Sequence, residues 1–155
     1  MNGGWVIVLT VLIAWALALL PMPGWAAPFR PEWTLIVLVY WAMALPSRVS
    51  IGWCWLAGLG LDVLMGTLLG QHALALALVG WVVARMHLQV RVYPEWQQAL
   101  VLVALVGMYE FVLFWTDGIS GTRSEVRWGP VLTTALLWPW ALVLLRRVRR
   151  RFNVT

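Results

Sequence analysis

The 155 residues are 63% hydrophobic and 11% charged, with a mean hydropathy of +0.84, whereas an ordinary soluble domain is roughly 45–50% apolar and about 25% charged. Eleven cations, all of them Arg, and six carboxylates are too few to clothe a water-facing exterior, so a soluble globular domain is excluded. A bilayer, where Leu, Val and Trp face outward, is the solvent this composition requires.

Prolines, glycine clusters and charges divide the chain into six apolar runs at about 5–20, 33–45, 51–65, 71–84, 98–116 and 128–145. Each is expected to be a short transmembrane helix, giving an all-α integral membrane bundle in a single domain over 1–155. The first run, Trp5 to Leu20, lacks a basic start, and the Pro21-Met22-Pro23-Gly24-Trp25 that follows fits a bend better than a peptidase site, so a retained helix is expected. The second offers only thirteen residues from Trp33 to Leu45, against the roughly 20 that a hydrocarbon core of about 30 Å asks for. It must borrow loop residues or sit where the bilayer thins. The third holds Asp62 and the lone Cys54, which cannot form an internal disulfide. After it, Gly66-Thr67-Leu68-Leu69-Gly70 has the small-xxx-small spacing of close helix contacts, yet its place between two runs favours a turn, where Gly takes positive φ cheaply. The fourth run stops before Arg85, the fifth contains Glu110, and the sixth is expected to kink rather than break at Pro139. Trp5, Trp25, Trp33, Trp96, Trp115 and Trp128 near the run ends fit aromatic belts at headgroup level.

Six spans return both termini to one side of the membrane. Arg48, Arg85, Arg91 and the tail arginines Arg146, Arg147, Arg149, Arg150 and Arg151 share that side with a single acid, Glu95. Arg30, Arg123 and Arg127 lie opposite, offset by Glu32, Asp117 and Glu125. The bias puts both termini in the cytoplasm. Directly after a span, the basic tail is read as an anchor to anionic lipid, at about 1 kcal/mol per Arg, with docking to an acidic protein as the alternative; nucleic acid is not an expected partner.

Asp62 and Glu110 are the informative polar residues, because a charge at the bilayer centre costs about 2.5–3.5 kcal/mol on insertion scales and so faces the bundle interior, finds a partner or is neutral. One reading is a proton or cation relay. The other, favoured because only two such acids occur and Asp62 lies near its helix end, is an interhelical hydrogen bond that holds the bundle. His72 and His87 stand fifteen apart without another ligand at metal spacing. With no nucleophile elbow, phosphate-cradling Gly loop or HExxH, no enzyme activity, metal or cofactor is expected.

Pro28-Phe29-Arg30-Pro31-Glu32-Trp33 and then Leu38-Val39-Tyr40-Trp41-Ala42-Met43-Ala44-Leu45-Pro46-Ser47-Arg48-Val49 resemble the MreD family of rod shape-determining proteins of Gram-negative bacteria. Similar stretches follow from Gly58 to Gly70 around Asp62, at Trp96-Gln97-Gln98-Ala99, and at Leu137-Trp138-Pro139-Trp140 running into Arg146-Arg147-Val148-Arg149, so the likeness covers nearly the whole chain. The resemblance implies a non-enzymatic inner-membrane subunit of the elongation machinery that organises lateral peptidoglycan synthesis. It also implies MreC as partner, with MreB, RodA and a class B penicillin-binding protein in the wider assembly. The family's fold is similar to the six-helix substrate-binding component of energy-coupling vitamin transporters, which supplies a second expectation, a small-molecule-binding subunit lined by Asp62 or Glu110. Carried over by position, Arg30 and Trp33 fall at the outer mouth of the second span and Arg48 at its cytoplasmic end, as candidate partner contacts or anchors.

Overall fold

The computed structural model describes residues 3–121, 125 and 127–154; Arg123, counted above among the outer charges, lies outside them. The described residues form six α-helices and no strand: α1 (Gly4–Leu19), α2 (Trp33–Ala44), α3 (Ile51–Met65), α4 (Gln71–Val92), α5 (Glu95–Ser120) and α6 (Gly129–Arg151), with a 3-10 turn at Ala27–Phe29 ahead of α2. Three of them, α4, α5 and α6, are long and apolar enough to cross a membrane, and α1 and α3 are shorter apolar helices. The outer surface carries exposed Leu12, Trp55, Trp81, Phe111, Leu136 and Trp140. In water so much apolar surface would drive association; in lipid it is the ordinary exterior of a bundle.

The short second run is resolved by position rather than by extra length. Nine of the twelve residues of α2 are buried, and it packs against α1, α4 and α6. A helix that is apolar all round belongs inside, and at 1.5 Å per residue α2 is about 18 Å long. Its walls are other helices, so it does not have to match the lipid thickness. The Trp41 indole N–H donates to the Thr10 hydroxyl at 2.9 Å, fastening α2 to α1, and the Glu32 backbone N–H donates to the Thr134 hydroxyl at 3.1 Å, fastening its start to α6.

Helices α3 and α4 form the closest pair. A Cβ at Gly58 would fall on the Ala73 backbone, and one at Gly80 would meet Cys54 Sγ at 2.7 Å. Gly66, with φ of +66°, is the left-handed C-cap of α3, and Gly70, with φ of +99°, precedes α4 as its N-cap.

Three helices outlast their apolar runs: α5 runs from Glu95 to Ser120, past both ends of 98–116. α4 continues from Ala84 through Arg85, His87 and Arg91 to Val92, and α6 runs through the tail to Arg151. Hydropathy marks where apolar surface stops, whereas the helix stops where backbone bonding does, at Pro94 for α4. Pro139 lies inside a continuous α6. Both chain ends meet at one end of the bundle: Gly3 lies against Val154, and the Trp5 and Phe152 rings pack edge to face with centroids 5.2 Å apart. The opposite end, here the far end, gathers the 3-10 turn, the α3–α4 turn and the start of α6.

Candidate functional site

Polar side chains collect at the far end. Asp62, 1% exposed, sits in the last turn of α3 and faces the start of α4. Its Oδ1 accepts from the Thr67 hydroxyl and the His72 backbone N–H, both at 2.9 Å, and meets His72 Nδ1 at 2.7 Å. Its Oδ2 accepts from the Gly70 N–H at 2.9 Å and the Ala73 N–H at 3.3 Å. The first-turn N–H groups of a helix lack intrahelical acceptors and carry partial positive charge, so they form a ready seat for a carboxylate. Asp62 therefore braces the turn between α3 and α4. The same network puts the His72 proton on Nδ1 toward Asp62 and leaves Nε2 as the ring's second polar atom.

Beside this brace lies a cavity of about 600 Å³, lined by Thr67, Gln71, His72, Glu110, Asp117 and Arg127 among others. A second lobe of about 290 Å³ is lined by Arg30, Glu32, Trp33, Thr34, His72 and Arg127 among others, so His72 and Arg127 belong to both. Glu110 projects from mid-α5 and is 8% exposed. Its Oε2 lies 3.4 Å from Arg127, and its carboxyl also meets that of Glu32. Glu32, just ahead of α2, sits beside Glu110 and Tyr109. Burial, and then the neighbouring Glu110 charge, push the Glu32 carboxyl up to about 8 against the opposing pull of Arg127. Across the two lobes the carboxyl groups of Glu32, Glu110, Asp117 and Glu125 and the guanidinium groups of Arg30 and Arg127 thus face a space of ligand size. Gln71 Nε2 donates to Asp117 at 2.6 Å and closes the α4–α5 side.

The structure brings Asp62, Glu110, Arg30 and Trp33 to this end and leaves Arg48 exposed in the α2–α3 turn at the other. The Arg30 guanidinium donates to the carbonyls of Ala18 at 2.7 Å and Leu20 at 2.9 Å, which caps the last turn of α1. Trp33 is partly buried at the head of α2. Arg146, Arg147, Arg149, Arg150 and Arg151 form the last two turns of α6 at the termini end, with Arg146 3.8 Å from Glu95. His72, Gln71, Glu32 and Arg127 are site residues that sequence reasoning passed over or read as surface charges. One signal was available for His72. Asp62 and His72 flank a turn with two glycines, and a hairpin of helices puts the last turn of one against the first turn of the next. Among the described residues, no three His, Cys, Asp or Glu side chains converge as a metal site.

The family model described as rod shape-determining protein MreD matches residues 1–148. The chain is 35% identical over 146 residues to the rod shape-determining protein MreD of Haemophilus influenzae, an alignment that covers 92% of this chain and 90% of that protein. No solved structure matches.

Proposed function

The chain belongs to the MreD family of rod shape-determining proteins, and from that premise we propose that it works as a non-enzymatic subunit of the elongation machinery in the bacterial inner membrane. In this reading the bundle crosses the membrane several times with both termini in the cytoplasm. It binds MreC and, with MreB, RodA and a class B penicillin-binding protein, organises lateral peptidoglycan synthesis. The family match along nearly the whole chain carries the reading. The arginines of the termini end support its orientation, and the exposed apolar exterior supports helix-to-helix docking in lipid. Affinity purification of the tagged chain from detergent-solubilised membranes tests the partner. MreC is expected to co-elute with the folded bundle; a monodisperse bundle that elutes without MreC, from cells containing both, overturns it.

A second reading, a small-molecule-binding subunit of a transporter, is favoured by one observation. The far-end cavity of about 600 Å³ falls in the roughly 300–1,000 Å³ range of ligand sites, and Glu110 lines it beside Arg127. Native mass spectrometry of the bundle tests this reading. A bound mass lost in Glu110→Gln is the expected result, and a ligand-free spectrum, with normal cell shape for Glu110→Gln, removes it.

A further inference from the structure

At the termini end, three arginines from two helices converge on a small cavity of about 90 Å³: Arg91 of α4, and Arg146 and Arg149 of α6, with Tyr40 of α2 and Gln98 of α5 completing its polar lining. Arg146 and Arg149 are three apart and so share one face of α6, and they lie over Leu142, which also lines the cavity. Arg147, Arg150 and Arg151 are exposed and do not line it. Three like charges around one hole favour a negative occupant, an effect water weakens because Arg91 and Arg146 are exposed. Arg149 Nε donates to the Val154 carbonyl at 3.4 Å, and the acid near the cavity among the described residues is weakly placed, Glu95 lying 3.8 Å from Arg146 with both side chains about half exposed.

Two buried groups shape the inside of this cluster. The Tyr40 side chain lies against Arg149, within reach of the fields of Arg146 and Arg150. Gln98, 6% exposed, uses its amide N–H groups on the carbonyls of Val90 at 3.2 Å and Tyr93 at 3.0 Å. Its Oε1 is buried with no hydrogen-bond partner among the described residues. Guanidinium forks match phosphate oxygens geometrically. At about 90 Å³ the cavity is several times the roughly 10–15 Å³ needed to admit one water, room for a phosphate group. The cavity opens where the apolar part of α6 gives way to Arg146, which is headgroup level for a helix crossing a bilayer.

We infer that Arg91, Arg146 and Arg149 form a site for the phosphate of an anionic lipid headgroup such as that of phosphatidylglycerol. This rests on the membrane-embedded reading of the chain but not on MreC, so a failure of partner binding leaves it intact. It also differs from general attraction of the basic tail to a charged leaflet, because Arg91 lies far from the tail in sequence and only two of the five tail arginines take part.

Native mass spectrometry of the full chain, titrated with phosphatidylglycerol or phosphatidylcholine, tests it. The parent is expected to retain phosphatidylglycerol over phosphatidylcholine. Arg91→Gln and Arg149→Gln each weaken that retention about tenfold, as loss of a charge-assisted bond requires. Arg147→Gln, which removes the same charge from the exposed face of α6, leaves it within about twofold. Thermal melts of each variant establish folding, and because the two test residues lie on different helices, loss of one variant leaves the other decisive. Equal retention of the two lipids, or equal losses in all three variants, refutes the site. Stabilisation by inorganic phosphate without any preference for phosphatidylglycerol refutes the lipid assignment in favour of a free anion.

Discussion

Replacing Asp62 by Asn removes the negative charge while keeping one oxygen in place. If that oxygen stays at the Oδ1 position, the contacts from Thr67 and His72 survive. The new amide N–H₂ then faces the N–H groups of Gly70 and Ala73, donor against donor. The change forfeits at least one charge-assisted bond, at about 1.5–3 kcal/mol. It also forfeits the favourable charge at the α4 N-terminus, at roughly 0.3–1 kcal/mol. The expected cost is about 2–4 kcal/mol, or a melting point lower by roughly 4–16 °C at the 2–4 °C per kcal/mol typical of this chain length. Tryptophan fluorescence melts in detergent would measure it. A double-mutant cycle with His72→Ala should show coupling of about 1 kcal/mol, because Asp62→Asn removes the charge from the contact with His72 Nδ1 and His72→Ala removes the ring that makes it. A melting point within about 1 °C of the parent, with rod shape lost, would refute the brace and return Asp62 to the role of a proton or cation relay.

Gly58→Leu should force α3 and α4 apart at the Ala73 backbone and destabilise the bundle by about 1–3 kcal/mol; Gly107→Ala, with open space around the new Cβ, should be neutral or stabilising by up to about 1 kcal/mol in the same melts. Arg30→Gln should free the carbonyls of Ala18 and Leu20 and fray the end of α1, read as faster amide exchange there while α4 and α5 keep their protection. The Glu32 carboxyl, raised from 4.5 to about 8, contributes stability that is complete below pH 4.5 and is lost as pH rises through about 8. Melting points should therefore decline across that window, and Glu32→Gln should flatten the decline. A reporter fused after Thr155 should be active only as a cytoplasmic reporter; periplasmic activity would reverse the orientation.

Much of the architecture was legible because lipid imposes a simple rule. Uninterrupted apolar runs broken by Pro, Gly and charge become helices, and the starts of α2, α3 and α4 at Trp33, Ile51 and Gln71 coincide with the starts of their runs. Helix ends in water were less legible. Arg85 and Arg146 end apolar surface but leave backbone bonding intact, so α4 and α6 run on. The central place of α2 was not readable either, since its neighbours are as apolar as it is and no stripe distinguishes inside from outside. At the far end, Asp62 and Glu110 stood out by sitting in apolar runs, but their partners did not. His72 sits across a turn from Asp62. Glu32 and Arg127 reach Glu110 from opposite sides of it in the chain, and no periodicity joins residues brought together by tertiary packing. Arg30, read as a candidate partner contact or anchor, also donates to the carbonyls at the end of α1, a tertiary contact that no sequence pattern announces.

Cell shape on replacement of the native protein tests the central claim most directly. In a rod-shaped bacterium whose own MreD is depleted, expression of this chain should restore rods of normal width, and the chain should lie in the inner-membrane fraction with MreC. Round cells that persist while the chain is folded, membrane-bound and at native abundance would contradict it.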